Sequence, residues 1–223
     1  MKHVIEGTLK FRREVLPKLS ELFDRLAISQ SPEVLFITCS DSRIDPNLIT
    51  QTNPGELFIC RNAGNIVPPH QYHAGGMTAS IEYAVQALQV KDVIICGHYG
   101  CGAMGAAMDL DSLKDFPHVL DWLVHSRAAV SVIDHKYKES DPQERLDLLC
   151  ERNVVLQMQH LATHPYIAAR LATNEIELHG WIYDVGSGMV KAYNSPSDSF
   201  IPVEEHYEGS HHMADDVTSG VTA

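Results

Sequence analysis

An α/β domain with a mainly parallel central sheet flanked by helices is the fold this sequence predicts. Three observations predict it. Short apolar runs at 34–38 (VLFIT), 56–60 (ELFIC) and 92–97 (DVIICG) have the length and continuous apolarity of buried strands. Segments with helical periodicity alternate with them. No internal repeat and no Pro-, Gly- or Ser-rich linker divides the 223 residues, so 1–205 reads as one domain and 206–223 as a tail.

Residues 4–27 come first. Val4, Ile5, Leu9, Val15, Leu16, Leu19, Leu22, Phe23 and Leu26 recur at near-helical spacing, and Pro17 predicts a break or kink inside the run. A helical segment ahead of the core needs apolar surface to lie on, and a second subunit could supply it. After the strands at 34–38 and 56–60, a helix from Met77 to Gln89 places Ile81, Val85 and Leu88 on one stripe. The strand at 92–97 leads into a Gly-rich turn and a helix start. Residues 119–133 and 143–162 read as helical. A late strand, HGWIYDV at 179–185, is expected to pair with MVKAY at 189–193 across the turn at Gly186–Gly188. The end, EGSHHMADDVTSGVTA, has few large apolar residues and is expected to fray.

Composition narrows the function. Seventeen basic and 29 acidic side chains give a formal net charge of −12, the reverse of the clustered positive charge that a nucleic-acid binder needs. The acid surplus reads as a solvated surface. No stretch approaches the ~20 consecutive apolar residues of a membrane helix. The opening MKHVIEGTLKFRREV has neither an apolar h-region nor a small-residue cleavage site, so the expected location is the cytoplasm. Five cysteines, an odd and sparse set, do not form a disulfide framework. Cys60, Cys96 and Cys150 read as small buried apolar residues. Cys39 and Cys101 sit in polar, turn-like surroundings and do not.

The chemistry gathers after two strands. Cys39-Ser40-Asp41-Ser42-Arg43 follows the strand at 34–38, and His98-Tyr99-Gly100-Cys101-Gly102 follows the strand at 92–97. Parallel sheets bind ligands outside the carboxyl ends of their strands. If these strands are neighbours, Cys39, His98 and Cys101 converge. Two thiolates and an imidazole are a zinc ligand set, and three protein ligands leave the open position of a catalytic rather than a structural ion. Asp41 could be a fourth ligand that closes the site, or it could accept a two-pronged hydrogen bond from Arg43. Zinc with two thiolates and a neutral imidazole carries no formal net charge. It should therefore acidify bound water less than a three-imidazole site does, and favour activity at alkaline pH. A carboxylate held by Arg43 could orient that water; the same carboxylate bound to zinc would displace it.

These two segments resemble the signatures of the β-class carbonic anhydrases, in a plant-type, bacterial-like branch. The resemblance continues through Arg61-Asn62-Ala63-Gly64-Asn65, Ile81-Glu82-Tyr83-Ala84 and His179-Gly180-Trp181, and so covers most of residues 1–200. It implies one zinc per chain on Cys39, His98 and Cys101, with Asp41–Arg43 as a dyad that orients or gates the zinc-bound water. The implied reaction is reversible hydration of carbon dioxide to bicarbonate and a proton, by attack of zinc-bound hydroxide. The branch has a substrate-reaching glutamine nine residues before the first cysteine, which Gln30 matches. Phe58, Ala63, Tyr83 and Gly102 fall where the branch lines its pocket, although Ala63 replaces its usual valine. Another branch has a non-catalytic bicarbonate site with a tryptophan three residues before the first cysteine. Arg61 and Tyr183 resemble its other members, but Phe36 stands at the tryptophan position, so that site is not expected here. The family implies a homodimer, often paired into a tetramer, built through N-terminal helices such as 4–27, with the active site at the dimer interface. Some relatives occupy carboxysomes.

Other readings compete. Gly100-Cys101-Gly102-Ala103-Met104-Gly105 is a literal G-x-G-x-x-G. A dinucleotide site also needs a strand carrying an acid about 20 residues on, whereas 109–133 has helical periodicity. A binding module would hold a closed, inert zinc. A related enzyme could act on carbonyl sulfide or carbon disulfide. His70 and His73 could relay protons from their loop; His179 reads as a packing residue.

Overall fold

The structure is a computed structural model that describes residues 1–71 and 75–207. Helix α1 (Lys2–Lys10) is followed by a wide π-helical turn at Phe11–Val15 and a tight 3-10 turn at Leu16–Leu19 before α2 (Ser20–Leu26). The run is thus broken around Pro17, which has no N–H to donate and whose ring crowds the carbonyl four residues back. Then come β1 (Val34–Cys39), α3 (Pro46–Thr50), β2 (Leu57–Asn62) and α4 (Gly76–Glu82), the last continued by a π turn over Tyr83–Ala87. Strand β3 (Asp92–His98) leads into α5 (Gly102–Ala107), α6 (Pro117–Leu123) and α7 (Arg127–Lys136). The long α8 (Pro142–Ala162), α9 (Pro165–Ala172), β4 (Glu177–Tyr183), β5 (Val190–Asn194) and β6 (Ser199–Pro202) complete the order.

Several boundaries depart from the sequence reading for local reasons. The helix expected over 119–133 is divided by a 3-10 turn at Val124–Ser126, where the buried Ser126 hydroxyl donates to Asn153 on α8. Helix α9 is a new element because Pro165 starts it at the first-turn position, where a missing N–H costs nothing. Helix α3 has the same proline start, and its Asp45 cap accepts from Leu48 N–H. Strand β6 is four residues long and ends in Pro202, too short to leave a period-two signal. The tail beyond residue 207 lies outside the described residues.

The sheet order is β2-β1-β3-β4-β5-β6. The first four strands are parallel, and β5 and β6 are antiparallel. The chain leaves β1 for β2 on one side and returns to β3 on the other. The β1/β3 boundary is therefore the switch point, where such sheets open a crevice at their carboxyl ends. Alternation divides the side chains between two faces. Leu35, Ile37, Val93, Ile95 and Ile182 join Leu149 and Val154 of α8 in the main core. Phe36, Ile94 and Cys96 form a smaller cluster on the other face, where Trp181 meets Phe36 edge-on at 6.1 Å.

Helix α8 lies close to the sheet because Gly97 and Gly180 face it. A Cβ on Gly97 would stand 2.7 Å from Val154 Cγ2, and one on Gly180 would stand 2.6 Å from Met158 Sδ and 3.0 Å from Val154 Cγ1. Gly97→Ala and Gly180→Ala are each expected to cost about 1–3 kcal/mol by overpacking, read as a lower urea midpoint. An unchanged midpoint would mean that α8 can move away freely.

Candidate metal centre

The predicted convergence is present. Cys39 ends β1, His98 ends β3, and Cys101 follows one turn later as the residue preceding α5. Their Sγ, ring nitrogen and Sγ atoms all lie within 4.8 Å of one another, and all three residues are buried. The two sulfurs are 3.9 Å apart. Sulfurs at ~2.3 Å from a tetrahedral zinc stand about 3.8 Å from each other, so the spacing suits such an ion.

The histidine gives a second test of fit. His98 Nδ1 lies 3.0 Å from the carbonyl of Tyr99, which fixes that nitrogen as the N–H donor. Nε2 is buried and has no hydrogen-bond partner among the described residues. A buried nitrogen lone pair left without a donor is costly unless something binds it. The thiols point the same way. Hydrogen bonds from Cys101 and the Gly64 N–H lower the pKa of Cys39 against the opposing effect of burial. Cys101 is pushed up, first by its hydrogen bond with Cys39 and then by burial. One proton shared between two sulfurs is the arrangement a divalent cation displaces. By contrast, burial raises Cys60 and pushes Cys96 and Cys150 up to about 12, in keeping with their reading as inert core residues.

Asp41 takes the second of its two courses. Arg43 donates from Nε to Oδ1 at 2.9 Å and from Nη2 to Oδ2 at 2.7 Å, and its backbone N–H adds a third bond to Oδ1 at 3.0 Å. This fork holds the Asp41 carboxyl well below the usual carboxylate range. Oδ2 stays 3.8 Å from His98 Nε2, at the edge of the cluster. Arg43 also reaches the carbonyl of Gly100 at 3.3 Å, which ties the two signature segments together.

Arg61 has a task that sequence reasoning missed. Its guanidinium donates to the carbonyl of Cys39 at 3.1 Å and to that of Asp41 at 2.7 Å, clamping the turn that carries both side chains. The Gly64 N–H donates to Cys39 Sγ at 3.4 Å. Gly64 has φ +81°, and a Cβ there would stand 2.8 Å from Met104 Cε. No local pattern signals these contacts, because each joins residues 20 or more positions apart.

The residues matched to a substrate pocket are placed as follows. Phe58 and the exposed Tyr83 stack at a tilt, 6.0 Å between centroids. Ala63 and Gly102 are exposed beside Gly64 and Cys101. Gln30 is exposed on the connection between α2 and β1. His70 packs its ring edge-on against His164 at 5.5 Å, while His73 lies outside the described residues. His179 is the expected packing residue, 3.0 Å from both Asp92 Oδ1 and the Tyr207 hydroxyl. The dinucleotide alternative fails, since 109–133 holds α6, α7 and 3-10 turns and no strand.

Known proteins match this arrangement. The family model described as carbonic anhydrase matches residues 34–190. A carbonic anhydrase of Pseudomonas aeruginosa is 45% identical over 208 residues, covering 93% of this chain and 94% of its own. The solved β-carbonic anhydrase CcaA superposes with a TM-score of 0.88 at 41% identity over 91% of each chain. A tetrameric β-carbonic anhydrase structure from Sordaria macrospora gives a TM-score of 0.75 at 32% identity, over 86% of this chain and 95% of that one.

Proposed function

This chain belongs to the β-class carbonic anhydrases, and we propose that the Cys39–His98–Cys101 cluster is where it carries out the reversible hydration of carbon dioxide to bicarbonate and a proton. The observation that carries this assignment is the buried, unpartnered Nε2 of His98 facing two sulfurs 3.9 Å apart. A zinc ion on those three atoms would supply the Lewis acidity that makes water a nucleophile, and with two thiolates it would do so at more alkaline pH than a three-imidazole site.

The remaining work falls to the chain. Asp41, made a poor base by Arg43, does not remove a proton; it accepts a hydrogen bond and so fixes the direction of the water's lone pair. Arg43 keeps both carboxylate oxygens engaged and holds Asp41 away from ligation. Arg61 fixes the backbone of Cys39 and Asp41 together. Phe58, Tyr83, Ala63 and Gly102, with Gln30, form the substrate side. The apolar surface of Phe58, Tyr83, Ala63 and Gly102 suits a small linear molecule without charge. The test is stopped-flow hydration with metal analysis on one sample. About one zinc per chain with hydration activity is expected; a zinc-loaded protein with no hydration activity would contradict the assignment.

A second copy completes the assembly in this reading. Val4, Ile5, Leu9, Phe11 and Val15 are exposed, and α1 buries none of its residues within the chain. We place these side chains against a partner subunit, as a homodimer that pairs further into a tetramer. Ile5→Asp combined with Leu9→Asp is expected to lower the mass measured by sedimentation to that of a monomer. An unchanged mass would place the interface elsewhere. The five free, buried cysteines suit the reducing cytoplasm.

A further inference from the structure

We propose that Trp122 is a positioning residue for Cys39, acting through the peptide group that joins Ala63 to Gly64. This rests on the reading of Cys39 as a metal ligand.

The indole N–H of Trp122 donates to the carbonyl of Ala63 at 2.9 Å. The N–H of that same peptide group belongs to Gly64, and it donates to Cys39 Sγ at 3.4 Å. Across a trans peptide the C=O and N–H point in opposite directions. A donor that fixes the carbonyl therefore aims the N–H. It also polarises the N–H, because hydrogen bonds in series strengthen one another.

The neighbouring peptide group is fixed as well. Asn153 Nδ2 donates to the carbonyl of Gly64 at 2.9 Å. Asn153 is fully buried, and its Oδ1 accepts from Ser126 Oγ and Gln157 Nε2, both at 2.8 Å. Gln157 in turn accepts from Val67 N–H at 2.9 Å. Helix α8 thus anchors the loop, while Trp122 of α6 sets the orientation of an N–H that reaches the sulfur. Gly64 is left-handed at φ +81°, so any side chain there would strain the backbone, and its Cβ would also have to displace the end of Met104, 2.8 Å away.

The consequence is electronic. A hydrogen bond to a thiolate withdraws charge from sulfur, so the ligand donates less to its metal and the metal stays more electrophilic. Trp122 is half-buried and its ring meets His125 edge-on at 5.9 Å. Trp122→Phe removes the N–H and keeps a ring in that place.

Two readouts test this. In the zinc-loaded protein, exchange of the Gly64 amide is expected to speed up about tenfold in Trp122→Phe. In the cobalt-substituted protein, the thiolate-to-metal absorption is expected to move to longer wavelength, because a less hydrogen-bonded sulfur gives up charge more readily. Trp122→His returns a ring N–H and is expected to bring both signals back toward wild type. Val124→Ala, on an exposed neighbour, should move neither. If wild type shows a thiolate band and Trp122→Phe leaves both the band and Gly64 exchange unchanged, the proposal is overturned while the ligand assignment stands. If cobalt-loaded wild type shows no thiolate band, the ligand assignment itself fails and takes this proposal with it.

Discussion

Cys39→Ser, His98→Ala and Cys101→Ser are each expected to lower hydration activity by more than about a thousandfold and to leave the purified protein with little zinc. The magnitude follows from what is lost. The ion supplies several kcal/mol of charge stabilisation, and each 1.4 kcal/mol is about tenfold in rate. The three losses should be alike, because the sulfurs and Nε2 form one cluster within 4.8 Å and the carboxylate nearest to it, Asp41, is held by the fork of Arg43. Folding should survive, since the cluster lies at the carboxyl ends of β1 and β3, at the rim of the main core that continues along α8. Far-ultraviolet circular dichroism checks that point alongside the activity and metal assays. A variant that keeps the wild-type zinc content would remove that residue from the ligand set.

The second large effect concerns Asp41 and Arg43. Asp41→Asn is expected to retain zinc yet lose about 10- to 100-fold in kcat, the usual cost of removing a group that orients a metal site's contents. Asparagine has one acceptor oxygen and cannot meet both prongs of Arg43. Arg43→Ala acts differently. It removes both forked bonds to Asp41 and frees a carboxylate whose Oδ2 already lies 3.8 Å from His98 Nε2. That carboxylate is then expected to turn inward and close the cluster as a fourth ligand, lowering activity without loss of metal. Crystals of zinc-loaded Arg43→Ala would show Asp41 oxygen on the metal. Asp41 still turned away, with full activity, would contradict the gate.

Much of this site was legible in the sequence because its chemistry sits at strand ends. A buried apolar strand has a recognisable carboxyl end, and Cys39 and His98 stand at two of them. Short-range features were legible too: the Asp41–Arg43 fork spans two residues, and Pro17 marks the broken N-terminal helix. What sequence could not give is contact at long separation. The Arg61 clamp, the Asn153 hub and the Trp122 bond to Ala63 join residues 20 to 89 positions apart. Their side chains look ordinary in their own segments, a half-buried indole on one helix and an asparagine inside another. The close seat of α8 was hidden for the same reason, since Gly97 and Gly180 acquire their meaning only when Val154 and Met158 arrive. Helices α3 and α9 have only five and eight residues, too few to leave a clear helical period in the sequence.

Anomalous diffraction at the zinc edge, on crystals of protein purified without added metal, tests the central claim most directly. One peak per chain is expected, bonded to Cys39 Sγ and Cys101 Sγ at about 2.3 Å and to His98 Nε2 at about 2.0–2.1 Å. A peak held by other residues, or no peak at that crevice in an enzymatically active crystal, would contradict it.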